Sequence, residues 1–235
     1  MKLSITAFRA CDYPSLCEEF MEGHANVLRD IGISVNKLTS ANISWSKSKD
    51  SYVITARSLE DFKVVGGARI DIAGGSLSLP IEAAVGMLDT RIYDLVKEKA
   101  VKGTGEVCGV WTSQAVAGRG IALLLLRAAI SLSTQLRLSS LFVFCSEATF
   151  SMFTKLGCTV YKSLGNDGTF YYPKENLLAT VLILHDPDTL CSADEINRNS
   201  VFLLRSDPKQ EKVENAPKGD LYVKYDLLIS SLCKI

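Results

Sequence analysis

The stretch that most constrains how this chain folds runs from Gly105 to Ile130, GEVCGVWTSQAVAGRGIALLLLRAAI. It opens as a strand-like run, passes through a polar loop to Gly118, Arg119 and Gly120, and ends in a long apolar segment with helical character. A helix begins with backbone N–H groups that lack partners and with the positive end of its dipole. A glycine-rich entry lets a phosphate approach those donors closely. Arg119 stands beside that entry, placed either to add a charge-assisted contact or to point into water. Of the common phosphate-binding units, two are set aside. The dinucleotide fingerprint needs a strand running almost directly into GxGxxG with a small third residue, whereas TSQAVA intervenes here and the third position is Leu123. The GxxxxGK[ST] loop fails because Ile121 follows Gly120.

The elements around this unit read as a mixed α/β fold. KLSITAFRA alternates like a strand, and YPSLCEEFMEGHANVLRDIG follows with helical spacing and Gly32 as its stop. SYVITARSL and KVVGGARIDIA, joined by the turn EDF, predict an antiparallel hairpin in which Gly66 and Gly67 mark a bulge. Residues 80–99 start with Pro80 and place apolar side chains at 81, 84, 85, 88, 92, 95 and 96, one helical face with a break near Gly86. SSLFVFCS reads as a buried central strand, EATFSMFTKLG as a helix, and CTVYKSL and NLLATVLILHD as two further strands. In the tail, DPDTLCSADEINRNS holds a short helix, DPKQEKVENAPKGD reads as a surface loop or linker, and LYVKYDLLI returns to strand alternation. The tail either adds an edge strand or reaches a neighbouring subunit, as in a homodimer.

Composition narrows the function classes. With 26 basic and 26 acidic side chains there is no excess of positive charge for nucleic acid. The amino-terminal residues lack a signal-peptide pattern, and the apolar run Ile121–Leu126 is stopped by Arg127, so the expectation is a cytoplasmic protein without a membrane segment. Seven cysteines without a CxxC pair read as small buried hydrophobes in a reducing compartment, Cys108 and Cys145 included. His24 and His185 are too isolated to suggest a metal site.

The order strand, loop, Gly-Arg-Gly-Ile-Ala and leucines resembles the acyl-CoA pyrophosphate signature of the GCN5-related N-acetyltransferase (GNAT) superfamily. Gly120, Ile121 and Ala122 match its end, while Ala117 stands where Arg or Gln is expected. The Lys-Leu-Gly that closes EATFSMFTKLG is similar to a second family stretch, with Phe153 in place of the usual proton-donating Tyr. The resemblance implies an α/β fold with a mixed, partly antiparallel sheet, splayed central strands and flanking helices. It divides the chain into an acyltransferase domain over 1–190, with a helical insert at about 76–102, and an extension over 191–235. It also implies a donor, acetyl-CoA or another acyl-CoA, with its pantetheine arm along Val110, Trp111 and Thr112. The donor's pyrophosphate would then lie at Ala117, Gly118, Arg119, Gly120, Ile121 and Ala122.

Glu106 takes the place of a general base, with a solvated strand-end carboxylate as the plainer alternative; for Phe153 the alternative is a core aromatic. Tyr161, Tyr171 and Tyr172 are the nearby phenols in sequence that could stand in as the acid. A narrower resemblance, in VVGGARIDIAGGSLSLPIE, is to autoinducer synthases and long-chain N-acyl amino acid synthases, with Arg69 and Glu82 at the matching substrate positions. The expected activity is transfer of an acyl group, acetyl first, to a small-molecule amine, with no metal. The alternatives are a long-chain synthase using acyl carrier protein or long acyl-CoA, and a degenerate thioester-binding or interaction protein.

Overall fold

A computed structural model of the chain describes residues 1–33 and 43–229. They fall into two compact units, one assembled from Met1–Arg69, Gly109–Ala129 and Leu203–Ile235, the other from Ile70–Cys108 and Ile130–Phe202. Strands β3 (Val64–Ile72) and β4 (Thr104–Thr112) begin in one unit and end in the other.

In the first unit the strand order is β4, β3, β2 (Ser51–Ser58), β1 (Lys2–Arg9), β10 (Leu221–Asp226), β9 (Glu211–Glu214). Strand β1 buries Leu3, Ile5 and Ala7 in alternation, as expected of a strand covered on one face. β2 is buried along nearly its whole length, which explains its continuous apolar and β-branched sequence. β1 pairs antiparallel to β2 and parallel to β10, and β9 closes the edge antiparallel to β10. Helix α1 (Pro14–Asp30) starts on proline, whose missing N–H costs nothing in a first turn, and buries Cys17, Phe20 and Ala25. A Cβ at Gly67 would stand 2.6 Å from the Phe20 ring, so this glycine admits α1 onto β3. The double glycine expected to mark a bulge lies within the continuous strand β3.

In the second unit the order is β6 (Thr159–Val160), β8 (Leu178–Leu184), β5 (Ser140–Ser146), β4, β3, with β7 (Thr169–Tyr171) also pairing β8. β5 and β8 are antiparallel from Leu141↔Leu184 to Ser146↔Ala179. The helical insert is two helices, α2 (Pro80–Val85) and α3 (Arg91–Ala100), parted after Gly86. Their apolar face is core: Ile81, Val85, Ile92, Leu95 and Val96 pack with Phe142, Val181 and Ile183. Asp89, in the connection, accepts bonds from the Arg91 guanidinium and from the Gly165 N–H, and the Arg91 contact holds its carboxyl well below the usual range.

Helix α4 (Ile121–Ser131) follows the glycine turn, and α5 (Glu147–Lys155) and α6 (Glu195–Ser206) are the remaining α-helices among the described residues. The long strand expected over CTVYKSL is only the two residues of β6, because the chain turns away after Val160. The polar tail run expected as a loop or linker contains β9, with Glu211 and Val213 exposed, as an edge strand permits. The reading of Cys233 as a buried hydrophobe lies outside the described residues.

Candidate functional site

The ladder between β4 and β5 is parallel and runs from Thr104↔Ser140 to Glu106↔Phe142. It ends there, while β5 continues to Ser146 on its other partner, β8. Three residues on, Gly109 takes φ +56°, a turn in β4 that an L side chain rarely follows. The strand then passes Val110, the buried Trp111 and Thr112 to Ser113, whose N–H donates to the Val65 carbonyl at 2.8 Å.

Beyond Ser113 a short 3-10 turn, Gln114–Val116, leads to Gly118 and Gly120, both left-handed at φ +72° and +75°. Any other residue there would carry the strain of a left-handed backbone, about 1–2 kcal/mol. The Ala117 and Arg119 N–H groups are taken by the Gln114 and Val116 carbonyls, whereas those of Gly118, Gly120, Ile121 and Ala122 find no acceptor among the described residues. Four donors without an acceptor among the described residues thus stand in or beside the start of an 11-residue helix. Ile121 itself is buried and anchors the turn to the core of its unit.

In the second unit Glu106 is 2% exposed, not a solvated strand end. Its Oε2 accepts the Ile81 N–H at 2.7 Å, and Glu82 Oε2 accepts the Leu79 N–H at 2.7 Å. Two carboxylates therefore satisfy donors at the start of α2, where an unpaired buried N–H is costly and a negative charge is favoured. Glu82 acts here as a helix cap. The register pairs Glu106 with Phe142, and two residues further along β5 the Phe144 ring packs on Tyr172, centroids 5.4 Å apart. Burial, reinforced by the Glu106 charge, raises the Tyr172 phenol, which keeps its proton. Phe153 is a core aromatic, and Tyr171 faces solvent. Cys108 is half-buried and its thiol donates to Asp71 at 3.6 Å. Cys145 is a buried thiol pushed up to about 11 and is unreactive at neutral pH.

Arg69, at the end of the first unit's portion of β3, lies over the Trp45 ring at 4.4 Å, a cation–π contact. Phe20 meets both Trp45 and Trp111 edge-on and sits beside His24. Burial, with the positive charge of Arg69, lowers the His24 imidazole to about 4, so it is neutral at pH 7. The sequence singled out the glycine turn, Glu106 and Arg69, set His24 aside as a metal ligand, and gave no sign of Trp45 or Lys218. None of these carries a motif; His24 does fall on the Phe20 side of α1, the one signal that could have found it. Among the described residues no group of His, Cys, Asp and Glu is arranged to hold a metal ion. No helix among them is long and apolar enough to cross a membrane.

No protein-family model and no curated protein matches the sequence. Solved structures do match. FeeM, an N-acyl amino acid synthase from uncultured soil microbes, is 14% identical and superposes with a TM-score of 0.58 over 77% of this chain and 96% of its own. TofI, solved in a ternary complex with an inhibitor and MTA, is 12% identical, with a TM-score of 0.56 over 86% and 98%. BjaI, a CoA-dependent acyl-homoserine lactone synthase solved with SAM and isopentyl-CoA, is 13% identical, with a TM-score of 0.52 over 96% of each chain. At these identities the likeness is one of fold, and that fold is the α/β fold of the GCN5-related N-acyltransferases.

Proposed function

We propose that the protein is an N-acyltransferase that moves an acyl group, acetyl first, from an acyl-CoA to a small amine by direct attack. The observation that carries this reading is the glycine turn: β4 delivers two left-handed glycines and four backbone donors to the start of α4. Donor phosphates accept from Gly118, Gly120, Ile121 and Ala122, and the pantetheine arm follows the backbone of Val110, Trp111 and Thr112. Because Ala117 lacks a polar side chain, backbone supplies the recognition that Arg or Gln provides in the resembling signature.

The reaction needs a neutral amine, stabilisation of the tetrahedral oxyanion and a proton for the departing sulfur. The amine nitrogen attacks the thioester carbonyl and its proton passes to Glu106, directly or through water. Collapse of the intermediate breaks the C–S bond, and Tyr172, still protonated, gives its proton to the thiolate. Glu106 then returns a proton to the phenolate, leaving amide and thiol as products. Supporting this assignment, Glu106 is buried and held by one oxygen on Ile81, and Tyr172 lies within its field.

A long acyl donor, delivered by acyl carrier protein or as long acyl-CoA, is the second reading, favoured by the fold shared with FeeM and BjaI and by Arg69 at its matching position. Against it, the apolar face of α2 and α3 is engaged in core packing and leaves no apolar side for an acyl chain to lie against. Calorimetric titration with acetyl-, octanoyl- and palmitoyl-CoA and with acylated carrier protein, followed by turnover against a panel of small amines, tests both. Preference for acetyl-CoA supports the first reading and preference for the long donors the second. Binding without turnover assigns a thioester-binding module, and failure of every donor to bind overturns the acyltransferase reading.

A further inference from the structure

The connection between β9 and β10, Asn215–Asp220, lies on the glycine turn. Lys218 Nζ donates to the Ala117 carbonyl oxygen at 2.7 Å. A Cβ on Gly118 would stand 3.1 Å from Lys218 Cε and 3.2 Å from its Nζ, and a Cβ on Gly120 would stand 3.3 Å from Pro217 Cδ. These contacts involve one unit only and are held from behind. Glu214, the buried last residue of β9, lies 3.9 Å from the Arg127 guanidinium of α4 and accepts the Tyr225 hydroxyl of β10 at 3.1 Å. The hairpin is thus braced against the helix whose start it covers, and β10 is itself locked to β1 by a parallel ladder.

The contact puts an ammonium group on the residue where the turn lacks a charge. Ala117 carries no polar side chain, and the cation that reaches it comes from 101 positions further along the chain. An ammonium has three donors; one serves the Ala117 carbonyl, and the other two suit phosphate oxygens, which lysine binds as a compact charge. Building on the acyl-CoA reading above, we propose that the β9–β10 connection is part of the donor site and that Lys218 is its phosphate-binding cation. The ligand class is the diphosphate of a pantetheine-bearing nucleotide, or the single phosphate of a carrier-protein arm.

The test is titration of the wild type, Lys218→Ala and Lys218→Arg with acetyl-CoA and with acetyl-pantetheine, which keeps the arm and lacks the phosphates. Lys218→Ala is expected to weaken acetyl-CoA binding roughly tenfold, the loss of one charge-assisted contact. It should leave acetyl-pantetheine unchanged and lower the slope of log Kd against log salt by about one charge's worth. Lys218→Arg should recover most of the affinity. Unchanged acetyl-CoA binding in Lys218→Ala overturns the proposal, and so does an equal loss for both ligands, which makes Lys218 a brace. Tighter binding in Lys218→Ala overturns it too and makes the loop a strap that blocks the turn. A wild type that binds no acetyl-CoA, and no acylated carrier protein, removes the acyl donor reading itself.

Discussion

The glycine turn and the Glu106 corner answer opposite problems in opposite ways. At the glycine turn the groups on offer are mainly backbone: left-handed Gly118 and Gly120, four N–H groups and a helix start, with the Lys218 ammonium reaching in from the β9–β10 connection. At Glu106 they are side chains: a buried carboxylate on one helix donor, a second carboxylate on another, and a protonated phenol nearby. A backbone site tolerates the loss of side chains and breaks when φ changes, whereas a side-chain site does the reverse.

The sharpest way to break this contrast is Gly120→Pro. Proline holds φ near −65° where the turn needs +75°, so acyl-CoA affinity should fall by at least about a hundredfold by calorimetry. Gly120→Ala, which can reach the left-handed region at a cost of about 1–2 kcal/mol, should bind roughly ten times more weakly than wild type. If proline is tolerated, the phosphate is not on this backbone. Next in size, Glu106→Gln should cut kcat by about a hundredfold while leaving donor affinity within twofold, because the amide oxygen still accepts the Ile81 N–H. A matched loss in donor affinity would show that Glu106 shapes the site and is not its base.

His24 sharpens the same contrast through stability. In the folded protein it is neutral down to about pH 4, whereas an unfolded histidine takes up a proton below about 6.5. Its contribution is therefore complete above pH 6.5 and is lost as pH falls towards 4, on the order of 1–2 kcal/mol after allowance for partial exposure. Urea melts across that window should show the loss, and His24→Gln should flatten it; equal slopes in both proteins would place the imidazole in water. The smallest effect belongs to Arg119→Ala, expected to weaken acyl-CoA binding only about threefold, the size of one partly exposed charge contact. A loss as large as that of Gly120→Ala would mean that the Arg119 side chain holds the phosphate as well.

Much of the fold was legible because its signals are local. Period-two alternation in β1, the EDF turn between β2 and β3, the Pro80 start of α2 and the glycines before α4 are each read within a dozen residues. β9 was not legible: EKVE is a charged edge strand with one buried residue, Glu214, and only pairing with β10 makes it a strand. The candidate site divides the same way. Gly118 and Gly120 announce a left-handed turn by being glycine, but nothing near Glu106 in sequence shows that the α2 donors close over it, or that Glu82 is a cap.

The sequence by itself determined the α/β order of elements and a left-handed glycine turn at the mouth of α4, because helix starts, glycine dihedrals and hydrophobic periods are properties of neighbouring residues. Only the tertiary structure decided the burial of Glu106, the neutrality of His24 and the arrival of Lys218 at Ala117. Each of these depends on desolvation, or on a charge brought from a distant part of the chain, and neither leaves a periodic mark in the residues concerned.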